Sequence, residues 1–170
     1  DCSNIDLMKK RMSASKLRQV NKSMKEGAEI IEAKSKDQVL QFYRLLKELY
    51  TIRIKTPLFP ISFFLAFFEQ KIGKYLLIKF DDKIIGGIMC PILDHRVIYE
   101  WFVVGKDNAY KAIYPSVLAT WAAMDYAYKY NIERFDFMGA GTPEQEYGVR
   151  EFKSKFGGEL VEYGRLLFIC

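Results

Sequence analysis

A chain of 170 residues, half of them hydrophobic, fits one ordinary domain with a real core. Its 26 basic and 21 acidic side chains leave a net charge of +5, concentrated near the start, because residues 9–25 hold seven Lys or Arg and no acid. Three scattered cysteines (Cys2, Cys90, Cys170) without CxxC spacing argue against a disulfide or zinc framework. A single histidine, His95, excludes a His-based triad or a multi-histidine metal site, and the lack of a long apolar run argues against a spanning helix.

In chain order, Ser15 to Gly27 predicts a basic amphipathic helix with Leu17, Val20 and Met24 on one stripe, Gly27 as its stop, and Ser13 and Ser15 as caps rather than nucleophiles. A short strand, Ala28 to Ala33, precedes a second helix over Asp37 to Tyr50. The prolines of Lys55 to Pro60 predict a loop, followed by a helix from Ile61 to Lys71 whose Phe63, Phe64, Phe67 and Phe68 read first as core. Three β-rich runs, Lys74 to Phe80, Lys83 to Leu93 and Arg96 to Val104, are divided by Asp81-Asp82 and Asp94-His95 and predict an antiparallel meander. A long core helix over Tyr114 to Tyr130, a strand Arg134 to Phe137, a Gly-x-Gly turn, a helix around Tyr147 to Phe156 and a last strand from Glu159 to Phe168 complete a mixed α/β (α+β) fold.

The stretch YPSVLATWAAMDYAYKYNIERFDFMGAGTPEQEYGVREFKSKFGGELVEYGR, Tyr114 to Arg165, joins a Leu-x-x-Trp helix, an aromatic-Asp-Phe strand, Gly-x-Gly and Gly-x-x-x-Phe-Lys-x-x-Phe-Gly-Gly. It resembles the C-terminal, acetyltransferase-like (GNAT) domain of the Fem-type (FemABX) peptidoglycan-bridge aminoacyltransferases. SASKLRQVNKSMKEGAEIIEA resembles the basic helix that joins the family's two domains, and KTPLFPISFF its Pro-Leu loop. The resemblance implies a GNAT fold over residues 28–170, with 1–27 as a basic linker from an upstream domain. It also implies transfer of a small amino acid from aminoacyl-tRNA to an amine of a peptidoglycan precursor. Aminoacyl-tRNA is then a co-substrate, no resident cofactor or metal is expected, and the protein works in the cytoplasm, in peripheral contact with the inner face of the membrane.

The resemblance places Phe152 and Lys153 beside the transferring acyl group, where an ammonium stabilises the developing oxyanion. Read without it, Phe152 is core and Lys153 a solvated charge, with Arg150 one turn earlier. Gly139 and Gly141 permit positive φ, so that free N–H groups could hold a carbonyl oxygen or phosphate, or they form an ordinary turn. Glu100, on the side of Ile98 and Phe102 in an apolar strand, is either a general base with a raised pKa or an acid paired with a cation. Asp136 admits the same readings and ranks below it. Arg53 and Lys55 are expected to contact an anionic acceptor. Lys16, Arg18, Lys22 and Lys25 are expected to contact tRNA phosphates, though anionic lipid or plain solvation also suits them.

Two other functions share this pattern. A coenzyme A-dependent N-acyltransferase would use acetyl-CoA or another acyl-CoA, and a non-catalytic module would only hold a partner domain or a precursor. The junction VVGKDNAYKAIYP keeps one glycine, Gly105, where coenzyme A users carry a Gly-rich pyrophosphate loop. That favours the tRNA-borne donor.

Overall fold

The computed structural model describes residues 1–110, 112–141 and 148–161. Asp81-Asp82 and Asp94-His95 all take positive φ, the pair conformation that two-residue hairpin turns require. These turns return β2 (Gly73–Phe80) onto β3 (Lys83–Leu93) and β3 onto β4 (Val97–Tyr99), each pair antiparallel. β1 (Glu29–Glu32) lies antiparallel against β2, and β6 (Arg134–Asp136) lies parallel to β4. The crossover to β6 is α5 (Pro115–Lys129), which is buried on nearly every side and has Pro115 in its first turn, where a missing N–H costs nothing.

Alternation along the strands divides the core into two layers. Leu76, Ile78, Ile88 and Cys90 face α5, together with Met8, Met12 and Val20 from the N-terminal helices α1 (Ile5–Arg11) and α2 (Ala14–Lys25). Tyr75, Leu77 and Met89 face the other way, onto Phe42 and Leu46 of α3 (Lys36–Leu49) and Phe64 and Phe67 of α4 (Ile61–Glu69). The aromatic run of α4 is therefore core at Phe64 and Phe67, as expected.

Several elements differ from expectation. α1 was not anticipated; Asn4 caps it, its side chain accepting from the N–H groups of Asp6 and Leu7. In α2 the buried stripe is Lys16, Val20 and Ser23, one position round from the expected one, and Met24 is exposed. Ser23 wins the inward place by hydrogen bonding: its hydroxyl donates to the Gln19 carbonyl (2.8 Å) and accepts the Tyr114 N–H (3.0 Å). Ser13 does cap α2, accepting from the Lys16 N–H. Residues Tyr50–Ile54 continue α3 as a π-helical turn that ends at Lys55 in the left-handed region. The expected last strand falls mostly on 162–170, outside the described residues, and residues 159–161 are not strand.

The third expected strand is two. β4 and β5 (Phe102–Gly105) both pair with β3, but their registers differ by one residue, so that Tyr99 to Trp101 oppose only Cys90 and Pro91. This bulge reverses the alternation. Glu100 stays on the Ile98 face, while Phe102 joins the opposite layer with Phe64, contrary to the expectation that all three share a side.

Candidate active site

The bulge delivers Glu100 into the layer beneath α5. Its N–H donates to the Asp136 carbonyl on β6 (2.9 Å), and the residue is 4% exposed. The Thr120 hydroxyl of α5 donates to one carboxylate oxygen at 3.1 Å, and the Lys153 ammonium lies 3.4 Å from the other. Burial pushes the Glu100 carboxyl above the ordinary range for glutamate, with Lys153 and Thr120 pulling partly back. Burial, with a smaller push from Glu100, also holds the Cys90 thiol well above its usual range.

Lys153 comes from α6 (Gly148–Ser154) and is 13% exposed along its side chain. Its ammonium also donates to the carbonyls of Phe137 and Gly139, the latter at 3.0 Å. Arg150, one turn earlier, donates from Nε to the Ala140 carbonyl at 3.0 Å. The turn after β6 thus points carbonyl oxygens at two cations of α6. Gly141 does take positive φ (76°), whereas Gly139 is exposed, with open space where a side chain would be. Asp136 is exposed and accepts the Met138 N–H, which leaves Glu100 as the buried acid of this cluster.

Phe152 is half-buried and packs on Phe156, 5.3 Å between ring centroids, while Val149, one turn earlier on α6, is exposed. Of the four N-terminal cations, Arg18, Lys22 and Lys25 are exposed. Lys16 is not: it is 8% exposed with its ammonium 4.0 Å above the Phe152 ring. Arg53 and Lys55 are exposed on the α3/α4 side of the sheet, apart from Glu100 and Lys153. Lys55 there borders a cleft of about 350 Å³ with Tyr43, Lys47, Tyr50, Thr51, Thr56 and Leu58.

Two participants were not anticipated. Thr120 was legible only as the one hydroxyl in the apolar run Val117 to Met124. Asp107 accepts the Ser116 N–H at 3.0 Å and so caps α5 with a carboxylate. A Cβ on Gly105 would lie 2.3 Å from the Ser116 nitrogen, so Gly105 is needed for the end of β5 to meet the start of α5. The Tyr114 N–H is bonded to Ser23 and Pro115 lacks an N–H, so the N-cap and first two positions of α5, Tyr114 to Ser116, are satisfied by the protein's own groups.

An aminoglycoside acetyltransferase from an uncultured soil metagenomic sample, in complex with sisomicin, has a similar structure: TM-score 0.57, 13% identity, covering 86% of this chain and 99% of that one. An acetyltransferase from Streptococcus agalactiae gives 0.59 at 17% identity, over 77% and 82% of the two chains. A ribosomal-protein-alanine N-acetyltransferase from Brucella melitensis biovar Abortus gives 0.58 at 13%, over 85% and 100%. No curated protein sequence matches significantly. The fold is the one these acetyltransferases share. More narrowly, the FemAB family model matches residues 81–164, the segment that carries Glu100, the Gly139 to Gly141 turn, Phe152 and Lys153. The expected mixed α/β GNAT architecture is the observed one.

Proposed function

We propose that this domain transfers a small amino acid from aminoacyl-tRNA to an amine of a peptidoglycan precursor, working with an upstream acetyltransferase-like domain in the cytoplasm. The observation that carries the reading is the FemAB match over the segment that assembles Glu100 and Lys153. The cap of α5 supports the choice of donor: an anion seated on the Ser116 N–H would have to displace the Asp107 carboxylate. The fold shared with acetyltransferases favours a second reading, N-acyl transfer from acetyl-CoA or another acyl-CoA.

In the proposed reaction the acceptor amine attacks the ester carbonyl carbon of the aminoacyl group. A new C–N bond forms, and the carbonyl oxygen becomes an oxyanion that the Lys153 ammonium stabilises in exchange for one of its carbonyl contacts. Glu100 takes the proton that the nitrogen loses. Collapse of the intermediate breaks the ester C–O bond, and the departing ribose oxygen takes the proton that Glu100 received and leaves as a hydroxyl. Phe152 lines the acyl group, and Arg150 holds the Gly139 to Gly141 turn through Ala140.

Arg53 and Lys55 are assigned to an anionic group of the acceptor, beside the cleft that Lys55 borders. Arg18, Lys22 and Lys25 are assigned to tRNA phosphates, with an anionic membrane surface as the other acceptor of the same charges. Among the described residues, no helix is long and apolar enough to cross a membrane, so membrane contact is proposed as peripheral. Replacing Arg18, Lys22 and Lys25 together with Gln is expected to weaken tRNA binding and to flatten its log–log salt dependence by about two to three, close to one for each phosphate no longer neutralised. An unchanged slope in filter binding across a salt series removes α2 from the tRNA interface.

The test of function is incubation of the intact protein with tRNA charged with glycine, alanine or serine and with a precursor, read by mass spectrometry for one added aminoacyl mass on an amine. Calorimetry with acetyl-CoA runs beside it. An aminoacylated product without coenzyme A binding supports the proposal; tight acetyl-CoA binding with acetylated product and no aminoacyl product replaces it by the second reading.

A further inference from the structure

The N-terminal helices do more than pack on the sheet: they hold the helix that carries Lys153. Three contacts fasten the α1–α2 junction to α6 and the turn that follows it. The Ser13 N–H donates to the Lys155 carbonyl at 2.8 Å. Gly157, at φ +83°, lets the chain approach Arg11 so closely that a Cβ there would lie 2.5 Å from the Arg11 carbonyl oxygen. The Lys16 ammonium rests 4.0 Å over the Phe152 ring and 5.6 Å from that of Phe156.

The third contact is the unusual one. A lysine ammonium placed in a nearly closed position gives up water, and rings on one side compensate it only in part. Burial and the nearby Lys155 push the Lys16 ammonium down from its ordinary pKa, and Asp107, the residue that caps α5, opposes them. An apolar side chain would fill the space without that cost, so the charge has a use other than packing.

Helix geometry says what the use is. Successive side chains on an α-helix are turned by about 100°, so fixing the direction of Phe152 fixes that of Lys153. With Phe152 drawn toward α2 by the ammonium above it, Lys153 is aimed across α6 at Glu100 and at the Phe137 and Gly139 carbonyls. We propose that Lys16 is a positioning residue for acyl transfer, acting through the Phe152 ring to aim Lys153 at Glu100. The proposal rests on the reading of Lys153 and Glu100 as the transfer site, not on which donor they serve.

The test compares Lys16→Met, which keeps the stem and removes the charge, with Lys16→Arg, which keeps a cation able to stack on the ring. Lys16→Met is expected to keep KM for donor and acceptor while kcat falls about tenfold to a hundredfold, the scale of a misplaced catalytic group; Lys16→Arg recovers most of the rate. A second readout does not need turnover. In Lys16→Met the ¹³C resonance of the Glu100 carboxyl is expected to titrate at higher pH than in the wild type, because Lys153 has drawn away and left Thr120 and Cys90 as its neighbours. If no donor supports turnover, that titration alone decides whether Lys16 positions Lys153.

Unchanged kcat together with an unchanged Glu100 titration overturns the proposal. So does a raised KM for the tRNA donor at constant kcat, which would make Lys16 a phosphate contact. Should Lys16→Met fail to fold, Phe152→Leu supplies the same comparison: the ε-methylene protons of Lys16 lose the upfield ring-current shift they carry in the wild type, and Glu100 titrates higher. Absence of that shift in the wild type, or no change at Glu100, overturns the proposal as well.

Discussion

Replacing Lys153 with alanine is expected to lower kcat for acyl transfer by about 10²- to 10³-fold, near 3 kcal/mol, with the fold retained and KM little changed. The size follows from where the ammonium sits. It is 13% exposed along its side chain and is held by Glu100 and two backbone carbonyls, so little of its orientation has to be set when charge develops on the substrate. Water admitted by the truncation replaces the charge but not the preorganisation. Lys153→Arg should not restore the rate, because a planar guanidinium cannot direct donors to the carboxylate and both carbonyls as a tetrahedral ammonium does. Single-turnover measurement with the donor the protein accepts separates the chemical step from binding. A folded Lys153→Ala protein with an unaltered single-turnover rate would remove Lys153 from the mechanism.

Glu100→Gln is the second large effect, expected at about 10²- to 10⁴-fold in rate, the range for loss of a general base. Glutamine keeps the shape and can still accept from Thr120, so packing changes little. The pH profiles carry the sharper distinction. The groups facing Glu100 are Lys153, which pulls its pKa down, and Thr120 and Cys90 in a dry setting where burial dominates and pushes it up. In the wild type the rate should rise with pH through that raised midpoint, and in Glu100→Gln the rising limb should vanish.

Stability follows by linkage. Because the folded-state pKa lies above the unfolded one, the contribution of Glu100 to stability is fully present below the ordinary glutamate range and is lost as pH rises through the raised value. Glu100→Gln therefore flattens stability against pH over that window, which denaturant titrations at several pH values can read. A variant that keeps both the rising limb and the slope would show that another group titrates.

Much of the architecture was legible in order of elements because local rules and the global fold agree. Asp-Asp and Asp-His sit where turns need positive φ, Pro115 opens α5, and alternation marks the sheet. The candidate site was legible mainly through resemblance. Taken by itself, Lys153 is one of many lysines on helices, and Glu100 is one acid in an apolar strand. The burial of Lys16 was not legible because it stands in a basic run, and a charge count carries no information about which way each stem points.

By itself the sequence determined the α/β class, the meander and its turns and the basic N-terminal helix, since each rests on contacts between near neighbours, and it carried the punctuation from Leu118 to Gly158 that resembles the Fem-type family. Only the tertiary structure decided where Glu100, Lys153, Lys16 and Asp107 lie and what they touch. A one-residue bulge between β4 and β5 turns Glu100 under α5, and α6 crosses to meet it from about fifty residues further along the chain. Asp107 becomes the cap on the Ser116 N–H of α5, and Lys16 becomes a buried cation on Phe152. The reason is physical: a bulge, a cap and a cation over a ring depend on groups far apart in sequence arriving within a few ångströms, and no local periodicity encodes that arrival.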